Sequence, residues 1–123
     1  MAASEEVVLW EGKPSGLTDR IKNVAFLNNT HYTITSQRVI VKSGLLTKKT
    51  EEVEMYMVKD ISIEQSVSDR LLGVGSINIV SSDENTPKLI LDDVQDVEVV
   101  KDLIRNAVRE EKALHNISYR DHV

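Results

Sequence analysis

The chain has 123 residues, 41% of them hydrophobic and 28% charged, a balance that predicts one folded domain with a real core rather than a disordered segment. Cysteine is absent, which excludes disulfides, thiolate metal sites and cysteine nucleophiles. The formal net charge of −5 argues against a general nucleic-acid binder, which needs a basic face.

The charge is unevenly placed: −3 over residues 1–11, +6 over 12–50, −9 over 51–100 and +1 over 101–123. The opening residues carry acids and no long apolar run, so no secretory signal is expected, and no stretch approaches the ~20 apolar residues of a membrane span. A cytoplasmic protein is the expectation.

In chain order, Glu5 to Glu11 reads as a first strand containing the single tryptophan, Trp10. Gly12 to Gly16 is a loop by its breakers. Leu17 to Leu27 fits helical spacing, with a short strand as the alternative. His31 to Leu45 organises the chain. Tyr32 and Ile34 alternate with Thr33 and Thr35, Ser36-Gln37 turns, and the β-branched Val39-Ile40-Val41 continue to Gly44. Val53, Met55 and Met57 then alternate with Glu52, Glu54 and Tyr56, and Ile61 to Val67 continues the pattern past a kink or bulge at Lys59-Asp60. Ser68 to Gly73 is a short excursion of about one helical turn. Ser76 to Ser81 and Lys88 to Leu91 are the remaining strands.

The end of the chain changes period. Asp96 is placed to cap a helix from Val97 to about Leu114, with Val97, Val100, Leu103, Ile104, Ala107, Val108 and Leu114 in one arc of about 140°. Glu98, Lys101, Arg105 and Arg109 lie outside that arc. Glu111 intrudes on it, so the last turns are expected to overhang solvent. Residues 115–123 are expected to form a flexible tail, with the core at about 5–114 of a single domain.

Strands first and one amphipathic helix last is an α+β order that several folds share. Residue content narrows it. The run Tyr32-Thr-Ile-Thr35-Ser-Gln-Arg38-Val-Ile, with Gly44 after it, resembles the signature hairpin of the bacterial pleckstrin-homology-like (PH-like) family. Asp60 to Ser66, Arg70-Leu-Leu-Gly73-Val-Gly75-Ser-Ile77, and Ser81-Ser82-Asp83 with Pro87 and Leu91 resemble three further blocks, in order, over about residues 30–108. The resemblance implies a mainly β fold: a bent antiparallel β-barrel, or two packed sheets, capped by the C-terminal helix. Tyr32, Thr35, Arg38, Gly44, Gly73 and Gly75 are its structural signature here. Many relatives carry membrane spans between a Gly-x-Pro-Ser motif and the hairpin. This chain has Gly12-Lys13-Pro14-Ser15 but no such span, so anchoring does not carry over.

Candidate chemistry is sparse. His31, His115 and His122 have no metal-ligand spacing, and no orienting acid accompanies His31 and Ser36. Gly73-Val-Gly75 precedes a strand, not the helix of a dinucleotide site, so its glycines are read as permitting unusual backbone angles. Asp92, Asp93 and Asp96 lack calcium-loop spacing. No cofactor, metal or catalytic residue is therefore expected. Arg38 is read as tying strands together rather than binding an anion. Lys13, Arg20 and Lys22 are similar to the basic run with which eukaryotic PH domains clamp phosphates, and are the candidate anion or lipid site.

The expected role is a non-enzymatic interaction module. It would bind a protein partner, or itself as a homo-oligomer, through a groove beside an exposed strand edge. The alternatives are recruitment to anionic lipid, for which weak membrane binding at most is expected, and a small enzyme.

Overall fold

The computed structural model describes residues 5–15, 29–44 and 46–121, with side chains through Asn116. Leu17 to Leu27, Arg20 and Lys22 lie outside the described residues. Among the described residues, seven strands make two antiparallel sheets. The first runs in the order β1 (Val8–Gly12), β2 (His31–Thr35), β3 (Arg38–Ser43), β4 (Lys49–Glu54). The second contains β5 (Val58–Glu64), β6 (Val74–Ser81) and β7 (Lys88–Gln95). A short helix α1 (Val67–Leu72) joins β5 to β6, and the closing helix α2 (Val97–Asp121) packs on the corner between the sheets. The sheets are not closed into a barrel.

The β2–β3 hairpin turns on Ser36-Gln37, with Ile34 opposite Val39. No glycine supplies a primed turn there, and the Thr35 hydroxyl takes over part of the work. Its Oγ1 accepts from the backbone N–H groups of Gln37 (3.1 Å) and Arg38 (2.8 Å). The hairpin tip also gathers distant chain. Ser36 exchanges hydrogen bonds with the Val7 backbone, and the Gln37 carbonyl accepts from Met55 N–H.

The long alternating run from Glu52 to Val67 reads as continuous strand but is broken. A 3₁₀ turn at Met55–Met57 separates β4 from β5 and sends them into different sheets. The break lets Val53, Met55 and Val58 all be buried, which a regular strand of period two does not allow. A bulge between Val58 and Asp60 then resets the register, at the position expected for it. The excursion before Gly73 is α1, capped by a reciprocal pair. The Ser66 side chain accepts from Asp69 N–H, and the Asp69 side chain accepts from Ser66 N–H.

One core joins the sheets and α2. Tyr32, Ile34, Val39 and Val53 come from the first sheet, Ile77, Ile79 and Leu91 from the second, and Val97, Val100, Ile104 and Ala107 from the helix. Two bonds tie the opposite corner. The Tyr32 hydroxyl donates to the Asp92 carbonyl (2.8 Å), and Ser15 N–H donates to the Asp93 carbonyl (2.6 Å).

The helix departs from expectation at both ends. Asp96 has a left-handed backbone (φ 53°) rather than the extended backbone usual for an N-cap, and its carbonyl accepts from Val100 N–H. At the other end the helix continues past Leu114 to Asp121. The last turns do overhang solvent, with Lys112 to Asn116 all exposed, but Glu111 itself is covered: its side chain is only 12% exposed, 3.9 Å from His115 one turn on. The His115 ring in turn stacks on Tyr56 of the 3₁₀ turn, with centroids 3.9 Å apart. The stacking gives the last turns an apolar partner that their own sequence does not advertise.

Candidate functional site: a basic groove beside a free strand edge

Of the expected anion site, Lys13 alone is among the described residues. Lys13 is exposed in the loop after β1, and Arg20 and Lys22 are outside them. Positive charge is concentrated elsewhere. Between β5 and α2 lies an open groove of about 410 Å³. Its wall is Lys101, Arg105, Arg109 and Lys112 on the helix, faced by Lys59 on the strand. Val58, Ile61 and Val108 supply apolar surface, and Asp60 is the one acid in the lining. Among the described residues, none of the five cations takes part in an ion pair.

Geometry explains the convergence. At 100° per residue, Lys101, Arg105, Arg109 and Lys112 fall within an arc of about 80° and form a stripe about 16 Å long. The apolar arc of α2 is held on the core by Ile104 and Ala107, which directs the neighbouring stripe over β5. Among the described residues β5 pairs with β6 alone, so its other edge carries unpaired backbone groups. The edge strands β1 and β4 carry acids instead: Glu11, and Glu51, Glu52 and Glu54.

Another open cleft, about 690 Å³, lies beside α1. It is lined by Glu64, Asp69 and Glu98 against Arg70. Three of its polar side chains are committed: Glu64 accepts from Asn78 (2.8 Å), Gln65 donates to the Val74 carbonyl (2.8 Å), and Asp69 caps α1. Among the described residues no group of three or more His, Asp or Glu side chains converges on a cation position, and no helix is long and apolar enough to cross a membrane.

Arg38 lies away from the groove, at the hairpin tip. Its guanidinium makes a two-pronged pair with Glu6 (2.9 and 3.1 Å) and reaches both oxygens of Glu52 (3.2 Å). Thr35 donates to the same Glu6 carboxylate (2.7 Å). The Arg38 hydrogen bond, then that of Thr35, holds the Glu6 carboxyl below its usual range, and Glu6 raises Arg38 further still. The cluster clips the segment before β1 to β3 and β4. It is about one-third exposed, so Arg38→Ala is expected to cost only about 1 kcal/mol. Chemical denaturation of Arg38→Ala, Glu6→Gln and the double variant measures the coupling. Because the Glu6 pKa is lowered by folding, its contribution is present above the unfolded value and is lost as pH falls through the folded one.

Glu54 has the opposite sign. Burial lifts its carboxyl; Arg38 opposes the rise, while Glu52, Glu6 and Glu111 add to it. Its favourable contribution exists at acid pH and disappears as pH rises through the folded pKa, so the ionised group opposes folding at neutrality. Glu54→Gln is expected to raise Tm by roughly 2 °C at pH 7, with the gain vanishing near pH 4. Thermal melts at the two pH values check it.

The signature glycines serve different ends. Gly44 (φ 106°) and Gly73 (φ 73°, ending α1) occupy left-handed backbone. Gly75 does not, contrary to the expectation for it. A Cβ there would stand 2.7 Å from Gln65 Cγ, 3.1 Å from Val97 Cγ1 and 3.2 Å from the Glu64 carbonyl oxygen. It is required by close approach of the β5 end and α2 to β6.

Two packed antiparallel sheets, of four and three strands, with a C-terminal helix across one corner define a PH-like fold. The crystal structure of a DUF1696-family protein with a pleckstrin-homology domain from Shewanella loihica PV-4 has that likeness, with a TM-score of 0.50 at 10% identity over 85% of this chain and 97% of the other. A family model described as the bacterial PH domain matches residues 18–108. The chain belongs to the bacterial PH domain family. No curated protein matches it.

Proposed function

We propose that this protein is a non-enzymatic, cytoplasmic interaction module that binds another protein along the β5–α2 groove. The observation that carries this reading is the pairing of a free strand edge with a wall of unpaired cations. An edge strand offers directional backbone bonds to an incoming chain, and a groove beside it adds side-chain selectivity. The positive wall is complementary to the acidic β1 and β4 edges of a second copy of this chain, so self-association through the groove is the reading's second form. Membrane recruitment is disfavoured by shape. A concave groove presents its cations to a chain rather than to a flat surface, and α2 has its apolar face committed to the core.

The test compares retention of proteins from the native cell by the wild type and by the Arg105→Glu/Arg109→Glu variant, with light scattering and vesicle sedimentation alongside. Both positions are exposed, so Tm should be unchanged. A protein, or a second copy, bound by the wild type and lost by the variant supports the proposal. Retention that ignores the charge reversal, or firm sedimentation with phosphatidylserine vesicles at about 0.15 M salt, overturns it.

A further inference from the structure

We propose that the occupant of the β5–α2 groove is an extended acidic segment of a partner protein whose carboxylates recur at every second residue. This rests on the preceding reading and specifies its ligand.

Three observations converge on that chemistry. The first is charge: five cations face the groove against Asp60, with no ion pair to neutralise them, in a protein whose formal charge is −5. The second is linearity. The helix cations form a row of about 16 Å rather than a cup, so they match a chain of charges and not one compact polyanion. The third is the neighbouring strand edge, whose N–H and C=O groups, unpaired among the described residues, fit a peptide backbone. A nucleic-acid strand would gain most from an aromatic platform, and the groove lining has none.

Spacing then sets the pattern. Lys101, Arg105 and Arg109 are each four residues apart, about 6.0 Å along the helix axis. In an extended chain, side chains on one face recur about every 6.7 Å. The mismatch of under about 1 Å per step is within reach of long, jointed Lys and Arg side chains. A peptide laid on the β5 edge turns every second side chain toward α2, because α2 covers the inner face of that sheet. Those inward positions are where carboxylates meet Lys101, Arg105 and Arg109. The Val58–Ile61 portion of β5 is about 13 Å long, so the groove engages roughly four to five residues of partner.

The experiment uses two fluorescein-labelled hexapeptides of identical composition, one alternating glutamate and threonine and one with the glutamates in a block. Anisotropy titrations are run with the full chain, and inositol hexakisphosphate serves as a compact polyanion competitor. The alternating peptide is expected to bind about fivefold tighter than the block peptide and to weaken as salt rises. Arg105→Glu/Arg109→Glu is expected to reduce its affinity about tenfold at unchanged Tm. Equal affinity for the two peptides, no binding of either, or displacement by the hexakisphosphate at far lower concentration than by free alternating peptide overturns the inference. Any of these, with a cellular protein still lost on charge reversal, leaves the interaction module standing and rejects only the acidic pattern. Indifference to charge reversal in both experiments rejects both.

Discussion

Ile104→Asp is expected to abolish the cooperative thermal transition. Ile104 is fully buried where α2 meets the core, and a carboxylate there has no partner. Burying it costs several kcal/mol beyond the lost apolar burial, against a total stability of about 5–15 kcal/mol for a domain of this kind. Two substitutions separate charge from shape and from position. Ile104→Ala should stay folded but lose about 2–5 kcal/mol. Val99→Asp, 66% exposed on the same helix, should melt close to the wild type. Circular dichroism melts of the three variants decide the matter. A wild-type Tm for Ile104→Asp would mean that α2 does not close the core.

The second large effect is at Gly75. Alanine there would press on Gln65, Val97 and the Glu64 backbone at once. The Gln65 side chain can swing, but doing so gives up its bond to the Val74 carbonyl, and the Val97 and Glu64 contacts belong to packed elements. A loss of about 1–3 kcal/mol is expected, typical of overpacking. Gly73→Ala tests the contrasting cause. Its Cβ meets only Gln95 Nε2, at 3.4 Å, so the penalty is torsional and about 1 kcal/mol. Denaturant midpoints that rank the two in reverse order would show that backbone conformation, rather than close approach, governs this junction.

These two sites differ in how plainly the sequence announces them. The apolar arc of α2 was legible because Val97, Val100, Ile104 and Ala107 repeat at helical spacing, and all four are buried. Leu114 fits the same arc yet is 37% exposed, while Glu111 is nearly covered. The last turns are governed by Tyr56, more than fifty positions earlier, and periodicity within a helix carries no word of such a partner. The β2–β3 hairpin was legible from alternation and from Thr35, whose hydroxyl replaces the turn glycine. The break at Met55–Met57 was not, because the apolar alternation reads the same on both sides of it. Gly75 was recognisable as a required glycine, but the reason for it lies in Val97 and Gln65, which the fold alone brings near.

The groove was half legible. Lys101, Arg105, Arg109 and Lys112 have a helical spacing that the sequence displays, and the first three lie outside the apolar arc. What turns a solvated stripe into one wall of a groove is Lys59 and the free edge of β5, and strand order cannot be read from either segment alone. Of the series Lys13, Arg20 and Lys22, the described residues include Lys13 alone.

Hydrogen exchange at the backbone of β5 tests the central claim most directly, since docking along a strand edge must occupy its free amides. With the alternating glutamate–threonine peptide at saturation, added protection is predicted in Val58–Glu64 and along the facing turns of α2, with β1 and β4 unchanged. Protection confined to β1 or β4, or saturated binding that leaves β5 exchange unaltered, would contradict it.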